Sequence, residues 1–277
     1  MIKKVNVTVL MDDNASFRTL HLSQHGVSYY IEIEYENSKK ILLFDTGSSG
    51  EPIIKNAEIS KIDLKKVDAV VISHGHYDHL GGLYDLFFNN LLRNDIPVFA
   101  NPDIFREIFY IPFRDISIPK YQKNWLKENV KFIFSRDPYE IFPGVWFSGE
   151  VERKNEYEKV ENFFTNLDGK IVRDEMMDDS SIYIDLGGSI FIVSGCSHAG
   201  IVNIKNKGEE LLGKKAGYIL GGLHLINASM ERIKFTMENL KGIKLFIGHC
   251  TGDNALCLFS QKLDVTKLHS GLEFSIP

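Results

Sequence analysis

The sequence predicts an α/β fold in which buried strands, covered by helices, bring their carboxyl ends to one functional edge. Two observations carry that expectation. Short apolar runs such as "ILLFD", "AVVIS", "IFIVSGCS", "YILGGL" and "LFIG" have the length and composition of strands buried on both faces. Each run also delivers an acid or an imidazole where it stops, namely Asp45, His74, His198, His224 and His249. In sheets packed against helices, ligand sites form at that edge, because its loops vary while the strands hold them rigidly.

Taken in order, "VNVTVL" and "VSYYIEIEY" alternate with period two, as strands do, and "KKILLFD" and "VDAVVIS" follow as buried strands. "HLGGLYDLFFNNLLRND" then has helical spacing of Leu and Phe, with Gly81 and Gly82 in its first turn. From 97 to 147 the character changes. This stretch is rich in aromatics, broken by prolines and dotted with Arg114, Lys120, Lys123, Lys127, Lys131 and Arg136. It is expected to be an insertion that acts as a lid or substrate-binding region, the alternative being packed connections around one helix, "KYQKNWLKENV". The charge-rich run "EVERKNEYEKVENFF" is expected to be exposed, and "SSIYIDLGGSIFIV" to form a hairpin closed by Gly-Gly. Without repeats, low-complexity tracts or linkers, a single domain over 1–277 is expected.

A chain of 277 residues with 44% hydrophobic and 25% charged side chains is ordinary for a globular protein and long enough to bury a sizeable core. Its net charge of −5 and pI near 6 argue against a nucleic-acid binder held by bulk electrostatics. No signal-peptide pattern and no run of about 18 apolar residues is present, so no membrane association is expected. Cys196, Cys250 and Cys257 are too few for a disulfide framework, which points to a cytoplasmic protein with reduced thiols. A homo-oligomer stays open.

The densest chemical signal is "SHGHYDHLGG". In an extended segment His74 and His76 point the same way, and as the chain turns into a helix Asp78 and His79 face a second point. One local segment can therefore serve two metal ions, which in two-metal sites lie about 3.5–4 Å apart. His224 alone reads differently, since a single histidine on an apolar strand is more often a satisfied core residue. What raises it to a site residue is that four comparable strands end as its own does. Cys196 and Cys250 lie beside His198 and His249, and thiolates are good zinc ligands. In a chain extended there, the cysteine and the histidine would not both face inward, so packing roles are expected for both cysteines. His21 and His269 are expected at the surface.

The order of these motifs resembles the metallo-β-lactamase superfamily, and the resemblance covers nearly the whole chain. Within it, "HGVSYYIE", "LLFDTGSSG", "SHGHYDHLGGL", "GCSHAGIVN", "GGLHL" and "GHCTG" look like one subgroup, which includes a dihydropterin–ribofuranosylaminobenzene phosphate synthase and metal-dependent hydrolases of undefined substrate. The resemblance implies a four-layer αββα sandwich with two divalent metal ions, zinc first, manganese or iron open. It assigns His74, His76 and His198 to one ion and Asp78, His79 and His249 to the other. Asp45 would accept a hydrogen bond from a ligand histidine, and His25 would line the substrate pocket. The "FDTGSS" stretch also resembles an aspartic-protease motif, but that chemistry needs two facing aspartates and only one Asp-Thr-Gly occurs.

His224 departs from the family pattern, which usually has a bridging aspartate at that strand end. A neutral imidazole bridges poorly, so His224 would bind one metal terminally or contact substrate, and it is named with Asp78 as a catalytic residue. Two divalent ions facing Asp78 and one hydroxide keep an excess of roughly two positive charges, which favours an anionic substrate. The expected activity is hydrolysis of a phosphoester or other anionic small molecule by a metal-bound hydroxide. The alternatives are transfer chemistry joining a dihydropterin to a ribofuranosylaminobenzene phosphate, and metal binding without turnover.

Overall fold

The computed structural model describes residues 1–112, 114–159 and 162–277, so Phe113 of the aromatic stretch and Val160 and Glu161 of the charge-rich run lie outside it. Strand alternation decides which layer each side chain joins. In the strand Lys39–Phe44, Leu42 and Phe44 face one core and Ile41 and Leu43 another, and all four are buried. The strand Ile190–Ser194 splits the same way, Phe191 and Val193 against Ile190 and Ile192.

Two seven-stranded sheets result. The first runs, in spatial order, Glu273–Ile276, Ile2–Met11, Ser28–Tyr35, Lys39–Phe44, Ala69–Val71, Val98–Ala100 and Phe132–Phe134. The second runs Val265–Lys267, Lys244–Gly248, Ala216–Gly222, Ile190–Ser194, Ser181–Asp185, Val145–Phe147 and Tyr139–Phe142. Their facing sides share one core, where Phe44 and Val71 meet Val193, Leu220 and Phe246. On the outer side of the first sheet, Leu43 and Val70 pack with Ile53 of the helix Gly50–Ile59 and Leu83 of the helix Gly82–Phe88. Outside the second, Ile192, Ile219 and Leu245 pack with residues of the helices Ile201–Leu212, Met230–Asn239 and Asp253–Ser260. The layers are helix, sheet, sheet, helix, the αββα sandwich.

Both sheets contain a parallel block. Lys39–Phe44 pairs in parallel with Ala69–Val71, and Ile190–Ser194, Ala216–Gly222 and Lys244–Gly248 form a second parallel run. The carboxyl ends of these strands meet at one rim of the sandwich. The hairpin of Ser181–Asp185 and Ile190–Ser194 closes through Gly187, whose φ of 83° a side chain would resist.

Three local expectations change. The stretch 97–147 is not one insertion. Val98–Ala100 and Phe132–Phe134 belong to the first sheet and Tyr139–Phe142 and Val145–Phe147 to the second. Among the described strands of this stretch, only Ile108–Tyr110 and Arg114–Asp115 leave the sandwich, pairing with Phe163–Leu167 and Lys170–Arg173 in a separate four-stranded sheet. The helix expected after His79 is two pieces, Tyr77–Leu80 and Gly82–Phe88, ending at Asn89. Gly81 makes that break close-packed, since a Cβ there would lie 2.4 Å from the Ser48 carbonyl. Finally, Glu158 of the charge-rich run is buried, its carboxylate accepting from the Val202 and Asn203 N–H groups at the start of the helix Ile201–Leu212.

Candidate metal centre

Backbone geometry at the rim turns side chains inward. Asp45 follows Lys39–Phe44 with φ 57°, and His224 and His249 follow their strands with φ 48° each. Non-glycine residues take this left-handed conformation uncommonly, and such residues gather at functional sites.

His74, His76 and His198 form the first cluster, their candidate ligand nitrogens all within 4.8 Å of one another. The Nε2 atom of each is buried and meets no hydrogen-bond partner among the described residues. Leaving such a polar atom unsatisfied costs about 1–3 kcal/mol, so three converging at one point call for a shared acceptor of lone pairs. A divalent cation fits. Burial holds all three imidazoles neutral, His74 and His198 well below the ordinary range and His76 at about 3. Neutral imidazole is the form that binds metal.

The surrounding atoms hold this cluster in place. His74 Nδ1 donates to Ser73 Oγ at 2.9 Å, and Ser73 donates onward to Asp45 Oδ2 at 2.7 Å. Asp178 accepts the Gly75 N–H at 2.8 Å and is paired with Arg106 at 2.6 Å. Asp179 accepts the Ala199 N–H at 2.7 Å, fixing the residue after His198.

The second cluster is Asp78, His79, His249 and Cys196. Asp78 Oδ2 lies 3.5 Å from Nε2 of both His79 and His249. The other nitrogen of each imidazole is committed to a carboxylate. His79 Nδ1 donates to Asp45 at 2.7 Å, and His249 Nδ1 to Asp13 at 2.8 Å. Such pairs fix the tautomer and ring orientation and raise the basicity of the facing nitrogen. Burial would lower His79, but the Asp78 and Asp45 carboxylates outweigh it and lift it to about 9. Burial likewise opposes the charge on Asp78, yet His79 and His249 hold it well below the usual carboxylate range.

Cys196 corrects the sequence expectation of a packing role. The strand ends at Ser194, and the next turn, with Ser197 at φ 60°, lets Cys196 and His198 both face the rim. Gly195 lets this turn lie against the hydrogen-bond network, since a Cβ there would fall 2.3 Å from Ser73 Oγ. Cys250 also lines the cavity at this rim, its sulfur 3.4 Å from the Cys196 carbonyl. His224 stands beside the first cluster, grouped with Cys196 and His198, its ring centroid 4.2 Å from that of His198.

A cavity of about 240 Å³ opens onto both clusters. His25 lines it, exposed, with Nε2 3.4 Å from Asp78 Oδ2 and Nδ1 donating to Asp13 at 3.0 Å. Asp13 therefore orients His249 and His25 together, a residue the sequence reading missed. Opposite, Phe163 lies with its ring centroid 5.0 Å from His76 and 5.1 Å from His198, with Tyr110 behind it at 5.5 Å. Arg114 and Tyr77 complete the wall, the guanidinium 5.8 Å from the ring centroid. His21 and His269 lie in neither cluster and are half-buried, His21 bonded to Thr19 and Ser60 and His269 to the Ser270 carbonyl. Among the described residues, no helix is long and apolar enough to cross a membrane.

Comparison with known proteins bears on the family and the fold. A family model described as the Metallo-beta-lactamase superfamily matches residues 24–160. The 7,8-dihydropterin-6-methyl-4-(beta-D-ribofuranosyl)-aminobenzene-5'-phosphate synthase of Methanocaldococcus jannaschii is 34% identical, the match covering 98% of this chain and 96% of that one. An uncharacterized protein of the same organism is also 34% identical, over 95% of this chain and 97% of its own. A crystal structure of a metal-dependent hydrolase of the beta-lactamase superfamily superposes with a TM-score of 0.84 at 25% identity, covering 98% of this chain and 99% of the other. Zn(2+)-bound PqqB from Methylobacterium extorquens shares the fold at a TM-score of 0.55 and 13% identity, covering 97% of this chain and 99% of the other. The chain belongs to the metallo-beta-lactamase superfamily.

Proposed function

We propose that the protein is a dinuclear metal-dependent hydrolase acting on a phosphoester or another anionic small molecule. The observation that carries this is the convergence of three partnerless, buried Nε2 atoms beside a second set of donors. His74, His76 and His198 would hold one ion, and Asp78, His79 and His249 the other. Imidazole-rich donors favour zinc, while the carboxylate also suits manganese and the imidazoles iron. Bound there, the ions would supply Lewis acidity toward the scissile bond and activate water near neutral pH. The chain's own residues do the rest. Asp45 and Asp13 aim the ligand histidines, His224 and His25 face the substrate from two sides, and Arg114 places a positive charge at the cavity wall. The superfamily is largely enzymatic, which also weighs against metal binding without turnover.

The second reading is transfer, joining a dihydropterin to a ribofuranosylaminobenzene phosphate. It is supported by the printed activity of the relative that matches nearly end to end and by the aromatic wall of Phe163 and Tyr110, suited to stacking a flat heterocycle. A phosphoester panel run beside an incubation with both transferase substrates separates the two, with mass detection of a joined product. Hydrolysis without joined product supports the first reading, and joined product the second. With either substrate, His76→Ala should abolish most of the rate; an unchanged rate would sink the metal mechanism.

A further inference from the structure

We propose that Cys196 is the fourth donor to the ion held by Asp78, His79 and His249, binding as a thiolate. It rests on the dinuclear site proposed above and assigns a ligand beyond it. The Cys196 sulfur lies 3.2 Å from His79 Nε2 and 3.2 Å from His249 Nε2, and Asp78 Oδ2 lies 3.5 Å from each of those nitrogens. An ion bonded at about 2.0–2.3 Å to tetrahedral nitrogen, oxygen and sulfur donors separates them by roughly 3.3–3.6 Å. Four of the six edges therefore already lie within about 0.4 Å of the lengths such a tetrahedron needs, and the other two are under 4.8 Å.

Asp45 and Asp13 already hold the Nδ1 side of the two imidazoles, so both Nε2 atoms face the sulfur and the Asp78 carboxylate. A cation satisfies all four donors at once, and a coordinating thiol is deprotonated outright.

Two consequences follow for the site. The second ion would then be held by four protein donors and the first by three imidazoles, which would leave the first the better placed to meet substrate. The thiolate also supplies the negative charge that His224 lacks in the place of a bridging aspartate. The excess of about two positive charges counted from Asp78 and a hydroxide falls to about one. Arg114 at the cavity wall then supplies a share of the positive charge comparable to that of the metals.

The test uses the full chain loaded with cobalt(II), with metal counted by plasma mass spectrometry and the near-ultraviolet sulfur-to-cobalt charge-transfer band recorded. The expected result is two cobalt ions per chain and a band that vanishes in Cys196→Ser and Cys196→Ala but persists in Cys250→Ser and Cys257→Ser. The band of the unaltered protein is a readout that needs no variant to fold. Two bound cobalt ions without the band, or a band removed by Cys250→Ser instead, would overturn the proposal and leave the dinuclear site standing. One bound cobalt with a Cys196-dependent band would support the ligand and overturn the dinuclear site. No bound cobalt, or one without the band, would overturn both.

Discussion

Asp45→Asn should loosen the second ion without unfolding the protein. Asp45 is fully buried and accepts three hydrogen bonds at 2.7 Å, from the Ser73 N–H, the Ser73 hydroxyl and His79 Nδ1. The last two share Oδ2. An amide of the same shape keeps one acceptor oxygen and replaces the other with a donor, so a donor must face a donor on one side. A hydrogen bond to a charged group is worth about 1.5–3 kcal/mol, and losing an outer partner of a ligand histidine costs typically about 10–100-fold in affinity. The affinity of the second ion should fall by about that factor, and that of the first ion less, because Asp45 reaches His74 only through Ser73. Competition with a chromogenic chelator, resolving the two binding steps, reads both values, and circular dichroism checks the fold. Unchanged affinity at both steps, in a folded variant, would refute the orienting role.

Gly195→Ala should weaken stability and metal binding together, since the new Cβ would fall 2.3 Å from Ser73 Oγ and 2.8 Å from Asp45 Oδ2; overpacking of this kind costs typically about 1–3 kcal/mol, measurable by urea unfolding. Arg114→Ala should raise KM for an anionic substrate while leaving metal content intact, which steady-state kinetics and metal analysis check together. In chelator-treated protein, His76 has a folded value of about 3 against an ordinary 6.5, so its contribution is present above 6.5 and is lost, at about 1.4 kcal/mol per pH unit, as pH falls through that window. His79, raised to about 9, has the opposite sign, its contribution present below 6.5 and lost as pH rises through 9. Unfolding curves across that range should show the metal-free protein weakening at both ends and the loaded protein weakening less.

Most of the candidate donor cluster could be read in the sequence because one physical rule, a buried strand ending in a ligand-capable residue, applies to Asp45, His74, His198, His224 and His249 alike. Asp13 obeys the same rule at the end of Ile2–Met11, but that strand alternates polar and apolar residues and does not stand out as buried. Cys196 escaped because periodicity assumes an extended chain, and the chain turns at Ser197 instead. Phe163 follows a charged run and faces the site only through pairing with Ile108–Tyr110, a long-range contact with no local signature. The supposed insertion misled for a related reason. Val98–Ala100 and Phe132–Phe134 are three-residue strands, too short for a hydrophobic period, and only the sheet around them makes them strands.

The central claim is that two ions share this rim. The most direct measurement is metal per chain by plasma mass spectrometry, on untagged protein purified from metal-replete medium. About two divalent ions per chain is the result predicted from the two donor sets. One ion or none, in folded protein, would contradict it.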